Sequence, residues 1–130
     1  MLLFGHPFIE NQEFYHIFDI ESIEKTPPGA PIYLSFSKQN LDIIKFLQNN
    51  GIDFALETEI ITEAIYASAL GAKYIITHKK TAKTFQNIAE TYLFDAKILV
   101  HITKEKEIEE MALLGIDGVI FPEAIVKISS

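Results

Sequence analysis

The sequence predicts an α/β fold, a parallel sheet alternating with helices, on three observations. Short, continuous apolar runs recur from Pro31 onward, amphipathic segments lie between them, and the recurrence is regular. The runs are PIYLSF (31–36), DFALE (53–57), KYIITH (73–78), KILVHI (97–102) and GVIFP (118–122). Apolar runs without polar alternation suit strands buried on both faces, as in a parallel sheet. With Ile32, Asp53, Tyr74, Ile98 and Gly118 as markers, the steps are 21, 21, 24 and 20 residues. Each step holds a strand, a helix and two tight loops, so right-handed crossovers give about five parallel strands with four helices. Such repeats fit a flavodoxin-like open sheet or half of a (β/α) barrel.

The helices read as roughly 39–50, 59–70, 82–93 and 104–114. Ser37, Thr58, Thr81 and Thr103 stand before them as candidate N-caps. Gly51, Gly71 and Gly115 stand where a left-handed residue closes a helix. Leu41, Ile44 and Leu47 share one apolar stripe, Phe85, Ile88, Ala89 and Tyr92 a second, and Ile108, Met111 and Ala112 a third. Glu105, Glu107, Glu109 and Glu110 form a solvated outer face on the last helix. Residues 1–30 break the pattern. Leu2–Phe4 and Tyr15–Asp19 read as strands, but KTPPGAP (25–31) is a rigid turn too short for a helical crossover. This segment is expected to add an antiparallel edge, a flap or a cover. No linker interrupts the chain, so one domain over 1–130 is expected, with 1–30 as its edge segment and 31–130 as its βα repeats.

Composition narrows the functions. The 130 residues are 48% apolar and 22% charged, the signature of a globular chain. Cysteine is absent, which removes disulfides, thiolate metal sites and cysteine nucleophiles and makes a reducing cytoplasm the expected home. The opening MLLFGHPFIE lacks a basic leader and reads as a first strand, and no apolar run approaches the roughly 20 residues that span a bilayer. The net charge is −7, and all 11 basic residues are lysine. Without guanidinium groups, and with an acidic balance, nucleic acid is not an expected partner.

The segment KILVHITKEKEIEEMALLGIDGVIFPEAI (97–125) resembles the last repeat of glycerophosphodiester phosphodiesterases. There a strand, a helix and a G-[VI]-D-G-[IV]-I strand close the barrel; Gly115, Ile116, Asp117, Gly118, Val119 and Ile120 match, and Phe121-Pro122-Glu123 departs from the family's Thr-Asp ending. The resemblance implies a (β/α) repeat. It transfers no catalytic residue, because a chain without arginine lacks the family's His-Arg pair and LETE (56–59) lacks its Glu-x-Asp spacing.

Ligands of parallel α/β sheets bind at the carboxyl ends of the strands. Those ends carry Ser35 and Ser37; Glu57 and Thr58; Thr77, His78, Lys79 and Lys80; His101 and Thr103; Pro122 and Glu123. Glu57, His78 and His101 are candidates for metal ligation or acid–base chemistry, and Lys79, Lys80 and Thr81 for holding an anion at a helix start. His6 and His16 read as structural. Asp19 would reach the rim only on a parallel strand. No cofactor motif is legible, neither G-x-G-x-x-G nor G-x-S-x-G. Ten phenylalanines and five tyrosines exceed what a five-stranded core needs, and Phe4, Phe8, Phe14, Tyr15 and Phe18 crowd the N-terminal segment. Aromatic excess and an incomplete barrel point to an interface, with a homodimer preferred. The leading expectation is a non-enzymatic domain that self-associates or binds a partner. The alternative is an enzyme or binding protein for a small anionic metabolite, phosphorylated ones included, at the rim, with His78 transferring protons, Lys79 or Lys80 holding the anion and Glu57 as metal ligand or base.

Overall fold

The computed structural model describes residues 1–128; the last two residues of the expected domain lie outside it. Its strands are β1 (Leu2–Phe4), β2 (Phe14–His16), β3 (Ile32–Ser35), β4 (Phe54–Glu57), β5 (Tyr74–Thr77), β6 (Lys97–His101), β7 (Gly118–Ile120) and β8 (Ile125–Lys127). Its helices are α1 (Leu41–Asn49), α2 (Ile61–Ala69), α3 (Lys79–Thr91) and α4 (Lys106–Leu113). Every strand pair is parallel, in the order β1-β7-β6-β5-β4-β3-β2-β8. The described residues therefore hold eight strands where the sequence predicted about five.

Chain length forces this sheet to curl. Ile120 and Ile125 can be at most about 19 Å apart, five steps of about 3.8 Å. β7 and β8 stand six places apart in the strand order, which is about 29 Å in a flat sheet at about 4.8 Å per strand. The two ends of the sheet must approach each other, which excludes the open flavodoxin-like alternative and leaves the half-barrel. The rings confirm it. Phe4 at one end of the sheet, Phe14 near the other and Tyr74 in the middle meet with centroids 5.0, 5.6 and 5.3 Å apart.

Strand alternation separates two cores. Phe4, Phe14, Tyr33, Tyr74, Ile76, Leu99 and Ile120 fill the concave side. Ile32, Leu34, Leu56, Ile75, Ile98 and Val100 face the other way and pack on the helices through Ile44, Leu47, Ala67, Phe85 and Met111. Leu41 and Tyr92, placed on core stripes by their spacing, are exposed instead, as is Ala112, whose place beside Ile108 and Met111 is taken by Glu107.

The N-terminal segment departs from expectation. β1 and β2 are parallel to the rest: β1 pairs with β7, and β2 lies between β3 and β8. The crossover from β2 to β3 uses the whole stretch 17–31, not the proline turn alone, and contains a 3₁₀ helix, Glu21–Lys25. A dozen or more residues suffice for a parallel return, whether or not they form an α-helix. β2 also ends earlier than predicted, at His16; Asp19 lies beyond it and accepts bonds from the Ser22 N–H (2.8 Å) and hydroxyl (2.6 Å) at the start of that 3₁₀ helix.

All four helices close alike. Ile52, Ala72, Phe94 and Ile116 donate backbone N–H bonds to the carbonyls five residues earlier, at Leu47, Ala67, Ala89 and Met111. This closure needs a left-handed residue just before each donor. Gly51, Gly71 and Gly115 supply it for α1, α2 and α4; α3 uses Leu93, at φ 53°, the one non-glycine residue with positive φ among the described residues.

The GIDG stretch shows how tightly α4, β6, β7 and β1 are joined. Asp117 accepts the amide of the second β6 residue, Ile98 N–H, on Oδ2 at 2.9 Å, receives Leu2 N–H on its carbonyl at 2.9 Å, and gives its own N–H to Gln86 Oε1 at 3.0 Å. Gly118 lets β1 approach: an added Cβ would stand 2.7 Å from Leu2 Cβ and 2.8 Å from Leu2 O. Gly118→Ala is expected to lower the unfolding free energy by about 1–3 kcal/mol through overpacking, read in a urea titration; an unchanged midpoint would contradict this packing.

Candidate functional site

The period of two along each strand carries the concave face upward to the carboxyl ends. Ala55, Ile76 and Leu99 belong to the concave core, so Glu57, His78 and His101, two residues on from each, emerge on the same side just above it. β4, β5 and β6 are consecutive neighbours, which brings the three side chains together. One ligand atom from each of the three lies within 4.8 Å of the others. The rings of His78 and His101 stack with centroids 4.9 Å apart at 27°.

A fourth strand adds Tyr33, which is only 4% exposed. Its hydroxyl donates to Glu57 Oε2, and His101 Nε2 lies 2.5 Å from the same oxygen and 3.2 Å from the tyrosine oxygen. Tyr33 has one hydroxyl hydrogen, directed at Glu57, and an ionised carboxylate only accepts. The hydrogen between His101 and Glu57 must then come from Nε2–H of His101. Charge and hydrogen bonding reinforce this arrangement. The His101 hydrogen bond first, and then that of Tyr33, lowers the Glu57 carboxyl to a pKa of about 2, against the opposing effect of partial burial. Burial, and then the bond to Glu57, pushes the Tyr33 hydroxyl far above its ordinary value, so Tyr33 stays protonated.

His16 stands beside this group, its ring 4.8 Å from that of Tyr33 and 4.4 Å from that of Phe18. Desolvation, then Lys127, lowers its pKa against the pull of Glu57, which favours the neutral ring. Both ring nitrogens of His6 are engaged: Nδ1 accepts from the Phe8 N–H at 3.1 Å and Nε2 reaches Glu105 Oε1 at 2.9 Å.

Beside the cluster lies a cavity of about 490 Å³ lined by His78, Lys79, Lys80, His101, Thr103 and Glu107, among others. The three anion-holding candidates behave differently there. Lys79 is held by Glu107 at 2.8 Å and Glu110 at 3.1 Å, which raise its pKa and consume its charge. Thr81 is not the cap of α3, because the helix begins at Lys79 with extended His78 before it. The Thr81 hydroxyl instead meets that of Thr77 at 2.5 Å. Lys80 is exposed and makes no ion pair among the described residues. Glu107 belongs to this wall and not to a solvated face; its Oε1 accepts the N–H groups of Thr103 (3.0 Å) and Lys104 (2.9 Å), and these bonds with Lys79 lower its pKa to about 2. Of the other rim residues, Ser35 is exposed, and Glu123 lines a separate cavity of about 380 Å³ with His6 and Phe8.

No family model matches the chain, and no curated protein matches its sequence. No helix among the described residues is long and apolar enough to cross a membrane.

The Glu57 carboxyl, ordinarily near 4.5, is lowered to about 2 in the folded chain, so the fold stabilises its ionised form. That contribution is complete above about pH 4.5 and disappears as the pH falls toward 2. Glu57→Gln is expected to remove about 1–2 kcal/mol of it, reduced by solvent screening at a partly exposed group. Urea unfolding from pH 2 to 6 should show a shallower acid slope, with the part due to Glu107 retained. Identical slopes in the two proteins would refute the coupling.

Proposed function

We propose that the protein binds a small anionic metabolite in the cavity at the carboxyl ends of β5 and β6 and transfers a proton to or from it. The observation that carries this reading is the convergence of Tyr33, Glu57 and His101 from three strands into one hydrogen-bonded array beside that cavity. A base oriented by a carboxylate, itself held by a third group, is the arrangement general acid–base chemistry requires. His101 is the proton carrier of this array, Glu57 fixes its tautomer and Tyr33 fixes Glu57. Lys80, with the free amides at the start of α3, supports recognition of negative charge; Lys79 is already committed to Glu107 and Glu110.

A panel of phosphorylated and carboxylate metabolites tests this by thermal shift. A ligand at 100 times its Kd stabilises the fold by about 2.7 kcal/mol, a rise of several degrees. Lys80→Ala should weaken that ligand's binding about tenfold, and Tyr33→Phe should leave binding nearly intact while reducing turnover. A panel in which no anion shifts the transition would count against the site.

Self-association is a second reading, favoured by one observation. α3 closes on Leu93, strained in the left-handed region yet 84% exposed, beside Tyr92 at 70%. Ile65 of α2 is exposed too, and it lines the same groove as Tyr92 and Leu93. A strained, solvent-facing leucine where the other three helices use glycine fits a residue kept for contact with a second copy. Leu93→Gly should then stabilise the isolated chain by about 1 kcal/mol while shifting light-scattering mass toward the single chain. A wild-type mass of one chain at high concentration would dismiss this reading.

A further inference from the structure

We propose that Glu57, His78 and His101 hold a divalent first-row transition ion of the zinc or ferrous type at the mouth of the curled sheet. The inference shares its cluster with the metabolite site proposed above but does not depend on the metabolite.

The donor atoms fall within 4.8 Å of one another. An ion bonded at about 2.0–2.2 Å needs its donors roughly 3–3.5 Å apart. His101 Nε2 and Glu57 Oε2, at 2.5 Å, are closer than this because they now share a proton. A cation in the proton's place would part them by up to about 1 Å, and His78 would close by up to about 1.3–1.8 Å. His78 has room to do so. It is exposed, it precedes the first turn of α3, and its ring makes no hydrogen bond among the described residues.

The donor set selects the ion. Two imidazoles and a carboxylate suit zinc, ferrous iron or cobalt; magnesium and calcium prefer all-oxygen shells. The backbone spacing is fixed, because Glu57 and His101 end β4 and β6 while His78 directly follows β5 between them, and the ladder pairs Glu57 with Ile76 and Ile76 with Leu99. Behind them Tyr33 donates to Glu57 Oε2, the supporting bond that orients a ligating carboxylate. In front, His78 and His101 line the cavity, so remaining coordination positions open onto space for water or ligand. Three protein ligands with an open position are the pattern of reactive metal centres, whereas structural centres are closed by four. His6 and Glu105 pair elsewhere, but both nitrogens of His6 are engaged.

The test uses the full chain, stripped with EDTA and dialysed, titrated with Co(II) by visible absorption and with Zn(II) by calorimetry. One equivalent should bind, with the intense visible bands of four- or five-coordinate cobalt. His78→Ala and Glu57→Gln, each checked for native circular dichroism, should weaken binding at least tenfold, and His6→Gln should not change it. Failure to bind one equivalent, indifference to both His78→Ala and Glu57→Gln, or loss of binding in His6→Gln would overturn the proposal. The metabolite panel run in EDTA separates the two readings. A thermal shift there without cobalt binding rejects the metal alone, and cobalt binding with no metabolite shift upholds the metal and counts against the metabolite.

Discussion

Four residues, Phe121–Ala124, join two strands that stand six places apart in the sheet. That short connection is the constraint on which the structure depends. A flat sheet cannot satisfy it, so the ends curl together and the concave face becomes an interior. Phe4, Phe14 and Tyr74 meet inside because the ends have been drawn in, and their edge-on packing stabilises the curl in turn. Pro122 helps to hold the step, since its fixed φ suits the start of the 3₁₀ turn at Pro122–Ala124.

The chemistry follows from the curl and from strand alternation. Once the concave face is packed with Ala55, Ile76 and Leu99, the next inward positions are Glu57, His78 and His101, at the level where the apolar filling stops. A polar group there is half out of water, with enough exposure to meet a ligand and enough burial to feel its neighbours strongly. Glu57 illustrates the balance. Desolvation alone would favour its neutral form, yet the bonds from His101 and Tyr33 outweigh desolvation and keep it ionised. On the far wall Glu107 plays a different part, spending its charge on two backbone amides and Lys79.

The five central strands and the four helices were legible because each left a strong local mark: an apolar run, an amphipathic period, or a glycine at the closing turn. α3 lacked the glycine, and its start was misplaced by three residues because Thr81 looks like a cap while His78 is the extended residue. β1 was legible at Leu2–Phe4 and β2 in part at Tyr15–Asp19, but their parallel place in the sheet was not, and β8, three residues directly after a 3₁₀ turn, left no separate mark. The crossover from β2 to β3 uses 3₁₀ geometry, which has no amphipathic signature of its own. At the rim, Glu57, His78 and His101 could be named because strand ends are readable. Tyr33 was missed although a signal existed: it lies between Ile32 and Leu34 in a strand buried on both faces, where a hydroxyl needs a partner. Glu107 was assigned to solvent because its neighbours are glutamates. Its position four residues after Thr103, at a helix start, was the clue to its bonds with free amides.

The aromatic filling of the curled sheet has one more implication. Phe4, Phe14 and Tyr74 pack edge to edge within the same concave core that lies below the histidines, so the interior beneath the strand ends is filled. A packed interior admits no passage, so Glu57, His78 and His101 are approached from the carboxyl-end side of the sheet.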